Sequence, residues 1–252
     1  MSPLSTRRGI RHSAGLAACA LFAVLGSPLV QAQQDTWGGS LAVTSDYRVR
    51  GISKTRGDAA VQGGLHAQLL PGWVIGAWGS TVSRNRGRSS ALEIDAYTGY
   101  GWNVAKDWDT KVVLTHYWYP NDPAQASYDY DELSVTVGYR SQLFGTVAWS
   151  PNSKYFSRYG GRWQADDGST ASYELTGLQP IATGLSLTAG VGYNDLRNLF
   201  DDGYWYWNAG VTYSVGPVQL DVSRIDSDAT AEELFGSTVT EAGWSAAISW
   251  RF

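Results

Sequence analysis

Acidic and basic side chains that alternate with apolar ones are the most reactive feature of this chain. In the stretch "TSDYRVRGISKT", Asp46, Arg48 and Arg50 stand two positions apart. Side chains at every second position of a β-strand lie on the same face of the sheet. Carboxylates and guanidiniums on one face can pair with each other or attract solutes of opposite charge. The chemistry predicted for these groups is therefore ionic.

Further polar residues take the same kind of position along the rest of the chain. Glu93 and Asp95, for example, alternate with Leu92, Ile94 and Ala96. Besides Asp46, Arg48 and Arg50, the residues that this parity places on one polar face are Gln62, His66, Glu93, Asp95, Glu132, Glu174 and Asp221.

The elements that must hold these residues are strands. Twelve segments show period-two alternation, each close to the 9–11 residues of a tilted transmembrane strand. The segments are 40–50, 59–69, 73–82, 91–102, 108–119, 129–140, 143–150, 170–179, 184–194, 204–215, 217–226 and 241–252. The connections alternate between short turns, such as "LPG", and longer polar loops, such as 152–169. This alternation predicts an all-β fold, a transmembrane antiparallel up-and-down β-barrel with short periplasmic turns and long external loops.

The apolar face of these strands is predicted to contact lipid. An arginine on that face would cost about 2–4 kcal/mol near the bilayer midplane. The charged residues should therefore face the lumen, while Leu41, Val43, Tyr47 and Val49 of the first segment face lipid. Segments 73–82 and 108–119 are ambiguous, because either register leaves a polar residue facing lipid, such as His116 in one and Lys111 in the other.

Closure of the barrel predicts one specific contact. The last strand must return beside the first, which brings the start of segment 241–252 close to the end of segment 40–50. Glu241 has the inward parity of its strand. We therefore predict an ion pair at the seam between Glu241 and Arg50, or its neighbour Arg48.

The two ends of the chain carry export and assembly signals. Residues 1–32 combine a basic start, an apolar run and Val30-Gln31-Ala32, as a cleaved Sec-type signal peptide does. Leu16 to Cys19 also resembles a lipoprotein cleavage box, but cleavage there would leave a long apolar run behind it. Residues 33–252 are then predicted to form a single barrel domain. The final "GWSAAISWRF", with Trp250 and terminal Phe252, resembles the signal read by the bacterial barrel-assembly machinery.

Composition narrows the class of protein. The chain has 12 Trp, 15 Tyr and 29 Gly, which is unusual for a soluble domain and ordinary for a barrel with aromatic girdles. Its 19 Lys and Arg are outnumbered by 23 Asp and Glu and are not clustered on one face, so a nucleic-acid partner is not indicated. Cys19 is the single cysteine, so no disulfide within the chain is predicted.

Several motifs together resemble the TorF family of outer-membrane porins, also catalogued as Gcw_chp. They are Ser45-Asp46-Tyr47-Arg48-x-Arg50-Gly51-Ile52-Ser53, Gly76-x-Trp78-x-Ser80, Glu93-x-Asp95-x-Tyr97, Tyr117-x-Tyr119-Pro120 and Tyr130-x-Glu132. The resemblance covers the mature chain and is densest before residue 140. It implies an integral outer-membrane barrel of a Gram-negative bacterium, with lipid and lipopolysaccharide as surroundings.

The residues leave open what the lumen does. The charged face could filter solutes as a pore lining, or its ion pairs could brace and plug the barrel. Arg84, Arg86 and Arg88 could bind lipopolysaccharide phosphates or anionic solutes, or form a solvated loop. A lipid hydrolase would need a serine near His66 or His116, and neither has the His-x-Ser spacing. We predict passive conduction of small polar solutes, with no enzymatic activity, cofactor or metal.

Overall fold

Over its described residues the chain consists mostly of β-strands, with three short helices near its C-terminal end. The computed structural model describes residues 37–83, 90–120, 128–159 and 162–252. In chain order its elements are β1 (Trp37–Thr44), β2 (Arg48–Val49), β3 (Ile52–Ser53), β4 (Ala60–Leu70), β5 (Trp73–Ser83), β6 (Ser90–Ala105), β7 (Trp108–Trp118), β8 (Tyr130–Tyr139), β9 (Leu143–Tyr159), β10 (Arg162–Ala182), β11 (Leu185–Asp195), α1 (Arg197–Phe200), β12 (Gly203–Val215), β13 (Val218–Ser227), α2 (Ala229–Phe235), α3 (Ser237–Thr240) and β14 (Gly243–Arg251).

All strands except β2 and β3 form one closed antiparallel barrel of twelve strands, which confirms the predicted fold. Neighbours in sequence are neighbours in the sheet, and β14 closes the ring onto β1. At the seam Leu41 lies beside Trp250 and Thr44 beside Ala247. Gly39 and Phe252 exchange backbone hydrogen bonds of 2.8 and 3.0 Å. The seam therefore leaves no open edge on either strand.

The outer face of the barrel is apolar, and the inner face is polar. On β8, Leu133, Val135 and Val137 are about 40% exposed, whereas Ser134 and Thr136 between them are buried. Exposed aromatic side chains stand near both ends of the strands. At the end with short turns they are Trp37, Trp73, Trp108 and Trp250, and at the other end Trp118, Trp149, Trp205 and Trp244. This is the pattern of a lipid-facing wall with two aromatic girdles. Among the described residues, no helix is both long and apolar enough to cross a membrane.

The structure settles the two strands whose facing the sequence left ambiguous. On β5, Trp78, Ser80 and Val82 are buried on the inner side. On β7, Thr115 and Tyr117 are buried, while His116 lies on the outer side. His116 Nδ1 is 2.9 Å from Asp131 Oδ1, so the residue that looked out of place facing lipid has a partner there.

The first predicted strand is wrong in its second half. β1 ends at Thr44, and residues 45–59 turn into the lumen as a segment that contains the short hairpin of β2 and β3. Arg50 and Gly51 connect the hairpin with φ values of 48° and 82°, as a tight two-residue turn requires. Tyr47 and Val49, predicted to face lipid, are buried inside the barrel. Their alternation matched a strand because a hairpin is also extended.

The loops at the long-connection end also differ from the prediction. Much of the predicted loop 152–169 belongs to β9 and β10, which continue beyond the rest of the sheet. The loop after β13 contains α2, whose first turn is capped by the Asp228 side chain accepting from the Ala231 N–H. The predicted signal peptide 1–32 lies outside the described residues, and so does the Arg84, Arg86 and Arg88 loop.

We predict that a charge on the outer face destabilises the barrel. Replacing Val135 by Arg places a guanidinium against lipid midway along β8 and should lower the free energy of unfolding by about 2–4 kcal/mol. Urea unfolding of the protein refolded into phospholipid vesicles measures this difference. Val135→Leu, which keeps the face apolar, should unfold like the wild type. Equal stability of Val135→Arg and wild type would contradict the assigned facing.

Candidate functional site

Asp46, Arg48 and Arg50 all lie in residues 45–59, which we call the inner segment. Asp46 is buried and organises it by accepting three hydrogen bonds. They come from Arg48 Nε at 2.5 Å, Ser53 Oγ at 2.5 Å and Thr55 Oγ1 at 2.8 Å. Thr55 Oγ1 in turn accepts from the Tyr47 N–H at 3.0 Å. Asp46 thus ties both ends of the hairpin together.

Arg50, at the tip of the hairpin, forms an ion pair across the lumen. Its Nη2 lies 2.7 Å from Glu132 Oε2 on β8, and both side chains are at least nine-tenths buried. Four strands separate β1 from β8 around the ring in one direction and six in the other. The inner segment therefore reaches from the seam to the far wall of the barrel.

A second contact with the wall centres on Glu93 of β6, which is completely buried. Tyr47 Oη donates to its Oε1 and Tyr119 Oη to its Oε2, both at 2.6 Å. Lys54 Nζ lies 3.8 Å from Oε2. Asp95 follows Glu93 on the same inward face. Two phenols and an ammonium therefore compensate the Glu93 carboxylate.

The opposite side of the inner segment is held by apolar packing. Ile52 is buried in a cluster with Leu196, Tyr204, Tyr206 and Ala231, and side chains of α1, α2 and α3 pack around it. At Gly51 a Cβ atom would lie 2.9 Å from Tyr206 Cβ and 3.0 Å from Ser227 Cβ. Gly51 is thus required both for its positive φ and for this close approach. The inner segment narrows the lumen at the long-connection end.

The predicted ion pair at the seam takes a different form. Arg48 Nη1 donates to the backbone carbonyl of Glu241 at 2.7 Å, while Arg50 pairs with Glu132. The Glu241 side chain itself is exposed. The physical reason is that the chain leaves the sheet after Thr44, so Arg48 and Arg50 are not part of β1. The residues that follow β1 therefore do lie next to Glu241, as predicted, but the contact is made by Arg48 and not by Arg50.

The remaining predicted lining residues lie on the inner side of other strands. Glu174 accepts from Tyr206 Oη at 2.9 Å, and Asp221 accepts from Thr212 Oγ1 at 2.6 Å. Gln62 Nε2 donates to Ser80 Oγ at 3.3 Å, and His66 follows it on the same face of β4. His66 and His116 therefore lie on opposite faces of the wall, so they do not form one site.

The inner wall is not uniform around the ring. On β6 and β8 the inward acidic residues Glu93, Asp95 and Glu132 are buried against the inner segment. On β4 and on parts of β10 to β14 inward polar residues stay partly accessible, whereas Thr170, Ser172 and Asn194 on β10 and β11 are buried. The accessible ones include Gln62, His66, Glu174, Asp221 and Arg251. Water therefore reaches the polar face of these strands.

Lys54, Tyr47 and Tyr119 contact Glu93 in this site, although the sequence pattern did not place them there. Lys54 fell in a predicted loop, and Tyr47 was assigned to the lipid face. The signal that could have identified Tyr119 is its spacing of two from Tyr117, which continues the inward parity of β7 beyond its end. Trp250 lies on β14 and Phe252 directly follows this strand at the seam, with ring centroids 4.8 Å apart, and their role as an assembly signal stays a prediction.

Comparisons with known proteins support the fold. Residues 31–250 match the model of a family described as "Bacterial protein of unknown function (Gcw_chp)". No curated protein matches the chain. A membrane protein solved in work on in-meso crystallization is similar with a TM-score of 0.50 and 10% identity, covering 86% of this chain and 83% of that one. The toluene transporter TodX of Pseudomonas putida has a TM-score of 0.47 and 9% identity, covering 87% and 90%. OmpF of Salmonella typhi has a TM-score of 0.45 and 12% identity, covering 86% and 97%. At these identities the likeness concerns the fold alone.

We predict that the ion pair between Arg50 and Glu132 couples the inner segment to the wall. Arg50→Met and Glu132→Gln should each lower the free energy of unfolding by about 3 kcal/mol or more, because each leaves a buried charge without its partner. The double variant should lose less than the two single losses together. Urea unfolding of the four proteins completes the cycle.

An exposed ion pair of similar length serves as the control. Arg197 Nη2 lies 2.6 Å from Asp195 Oδ2, but the arginine is mostly exposed to solvent. Arg197→Met should therefore change stability little. Additive losses at Arg50 and Glu132 would show that the two side chains do not interact as described.

Proposed function

The chain belongs to the Gcw_chp family of bacterial proteins of unknown function, and we propose that it is an outer-membrane channel through which small polar solutes diffuse passively. The family match confirms the resemblance drawn from the residues, and the TorF name stays a prediction. In this proposal the outer face contacts lipid and lipopolysaccharide, and the barrel-assembly machinery inserts the chain. We propose no enzymatic step.

The observation that carries the proposal is the partly accessible polar wall on β4 and on parts of β10 to β14. A lumen filled only by packing would bury these side chains and replace their contact with water by protein contacts. Instead Asp221 and Glu174 are hydrogen-bonded within the wall and still partly accessible. A barrel of twelve strands is also wider than the eight-stranded barrels whose interior side chains can fill. Together these features favour a polar path along one side of the lumen.

The inner segment gives this path its narrowest part. It lies at the long-connection end and is held by Arg50 on one wall and by Ile52 on the other. A solute that follows the polar wall must pass beside it. The charges that the sequence predicted as a lining therefore act mainly by positioning the inner segment, which sets the width of the path.

A plugged barrel is the second candidate, and the same segment favours it. Glu93, Asp95, Glu132 and Arg50 are all nearly inaccessible, as expected where protein contacts have displaced water. In a plugged barrel the inner segment would brace the wall and conduct nothing. The two candidates differ in one measurable property, the conductance of a membrane that contains the protein.

We predict that loosening the inner segment enlarges the channel. Arg50→Glu places a carboxylate beside Glu132, and the repulsion should displace the hairpin from the far wall. Recordings on planar bilayers with refolded protein should show unitary conductance for the wild type and a larger conductance for Arg50→Glu. Arg197→Glu, which reverses an exposed charge in α1, should conduct like the wild type. If neither the wild type nor Arg50→Glu produced channel events, the plugged barrel would be favoured.

A further inference from the structure

The most unusual polar group inside the barrel is the Asp95 carboxylate. Asp95 lies on the inward face of β6 and is 4% exposed. Its Oδ1 atom has no hydrogen-bond partner among the described residues. Burying an ionised carboxylate without a partner costs far more free energy than burying a neutral polar group without one. Within the part of the chain that the structure describes, the Asp95 Oδ1 atom is thus a buried carboxylate oxygen without a donor or a cation beside it.

The surrounding carboxylates already have partners. Glu93 accepts from two tyrosines and faces Lys54, and Glu132 pairs with Arg50. Asp46 pairs with Arg48. The inner segment and the acidic residues it faces thus contain five carboxylates, Asp46, Asp58, Glu93, Asp95 and Glu132, against the four cations Arg48, Arg50, Lys54 and Arg56. Asp95 is the carboxylate in excess.

The electrostatic surroundings favour a cation over a further hydrogen bond from the protein. Glu93 and Glu132 act on the buried Asp95 as like charges, and among the described residues Lys54 is the one opposite charge that acts on it. Lys54 Nζ lies nearer to Glu93, at 3.8 Å from its Oε2. The imbalance is a single negative charge, and oxygen is the ligand that hard cations prefer.

We propose that Asp95 binds a small monovalent cation at the inner segment. Its positive charge neutralises the carboxylate in excess, and a small cation suits a carboxylate that is only 4% exposed. Two sources share this chemistry, an alkali-metal ion and the primary ammonium group of a solute. Because the bound cation can exchange, the negative charge of Asp95 behind the inner segment favours cations over anions in the narrow part of the path. This consequence rests on the proposed channel, whereas the binding itself does not.

The binding test uses the full chain refolded in detergent micelles. The unfolding midpoint is measured while N-methylglucamine chloride is replaced by KCl or by methylammonium chloride at constant ionic strength. A ligand that binds only the folded state raises the midpoint in a saturable way. We expect the wild type to rise by roughly 2–5 °C. A response to potassium alone identifies an alkali-metal site, and a response to methylammonium alone identifies an ammonium site.

Two variants decide whether Asp95 is responsible. Asp95→Asn keeps the shape of the side chain and removes its charge, so the response to the cation should disappear. Asp201→Asn makes the same substitution at an exposed residue of positive φ, where Asn is well tolerated, and should respond like the wild type. A response that Asp95→Asn retains, or the absence of any response in the wild type, overturns the proposal. The second outcome would mean that a proton neutralises Asp95.

A selectivity measurement links the site to the channel. In a KCl gradient across a planar bilayer, the reversal potential of the wild type should show potassium permeating several-fold better than chloride. Asp95→Asn should bring the ratio close to one, and Asp201→Asn should leave it as in the wild type. A wild type that binds the cation but conducts nothing refutes the channel and leaves the site. A wild type that conducts without a thermal response refutes the site and leaves the channel.

Discussion

No backbone N–H or C=O group of a membrane-spanning strand can stay unpaired in hydrocarbon. Each such group costs several kcal/mol, so strands that cross a bilayer must form a closed ring. Here the ring closes where β14 returns to β1, and the hydrogen bonds between Gly39 and Phe252 complete it at the short-turn end. Closure gives every strand two surroundings, lipid outside and the lumen inside. The alternation of apolar and polar residues follows from that division.

The charged side chains lie in the lumen. Ion pairs and hydrogen bonds between them compensate the free-energy cost of their burial. Arg50 with Glu132, Arg48 with Asp46 and the hydroxyl groups around Glu93 each supply a partner. Such buried pairs contribute little net stability compared with apolar packing, but removing one partner is costly. They therefore serve mainly to fix the position of the inner segment. Ile52 adds an apolar anchor on the opposite wall.

The parts of the fold that could be predicted are the strands in which a two-residue alternation of apolar and polar side chains shows which residues face lipid and which face the lumen. β8 could be predicted, with its inward Glu132, because lipid and lumen impose opposite preferences on successive residues. The inner segment could not, because Tyr47 and Val49 continue the apolar alternation of β1 although they pack inside the barrel. A buried hairpin and a lipid-facing strand place apolar residues at the same spacing. The partner of Arg50 was missed for the same reason, since its identity depends on where the chain leaves the sheet.

The short helices could also not be predicted from the alternation of apolar and polar residues. The loop after β13 is rich in polar and small residues, and α2 exists there because Asp228 caps it and the apolar cluster around Ile52 packs against it. Asp95, by contrast, could be placed on the inward face from parity alone. That it lacks a hydrogen-bond partner became visible only once the contacts of its neighbours were known.

The central claim is that residues 45–59 lie inside the barrel and set the width of its polar path. Thr44 and Ala60 are direct partners in the β1–β4 register, so a two-residue Asn-Gly turn can join them in place of the inner segment. The unitary conductance of this shortened chain in a planar bilayer is compared with that of the full chain. If the inner segment sets the width of the path, the shortened chain has a clearly larger conductance. Equal conductance of the two chains would contradict it.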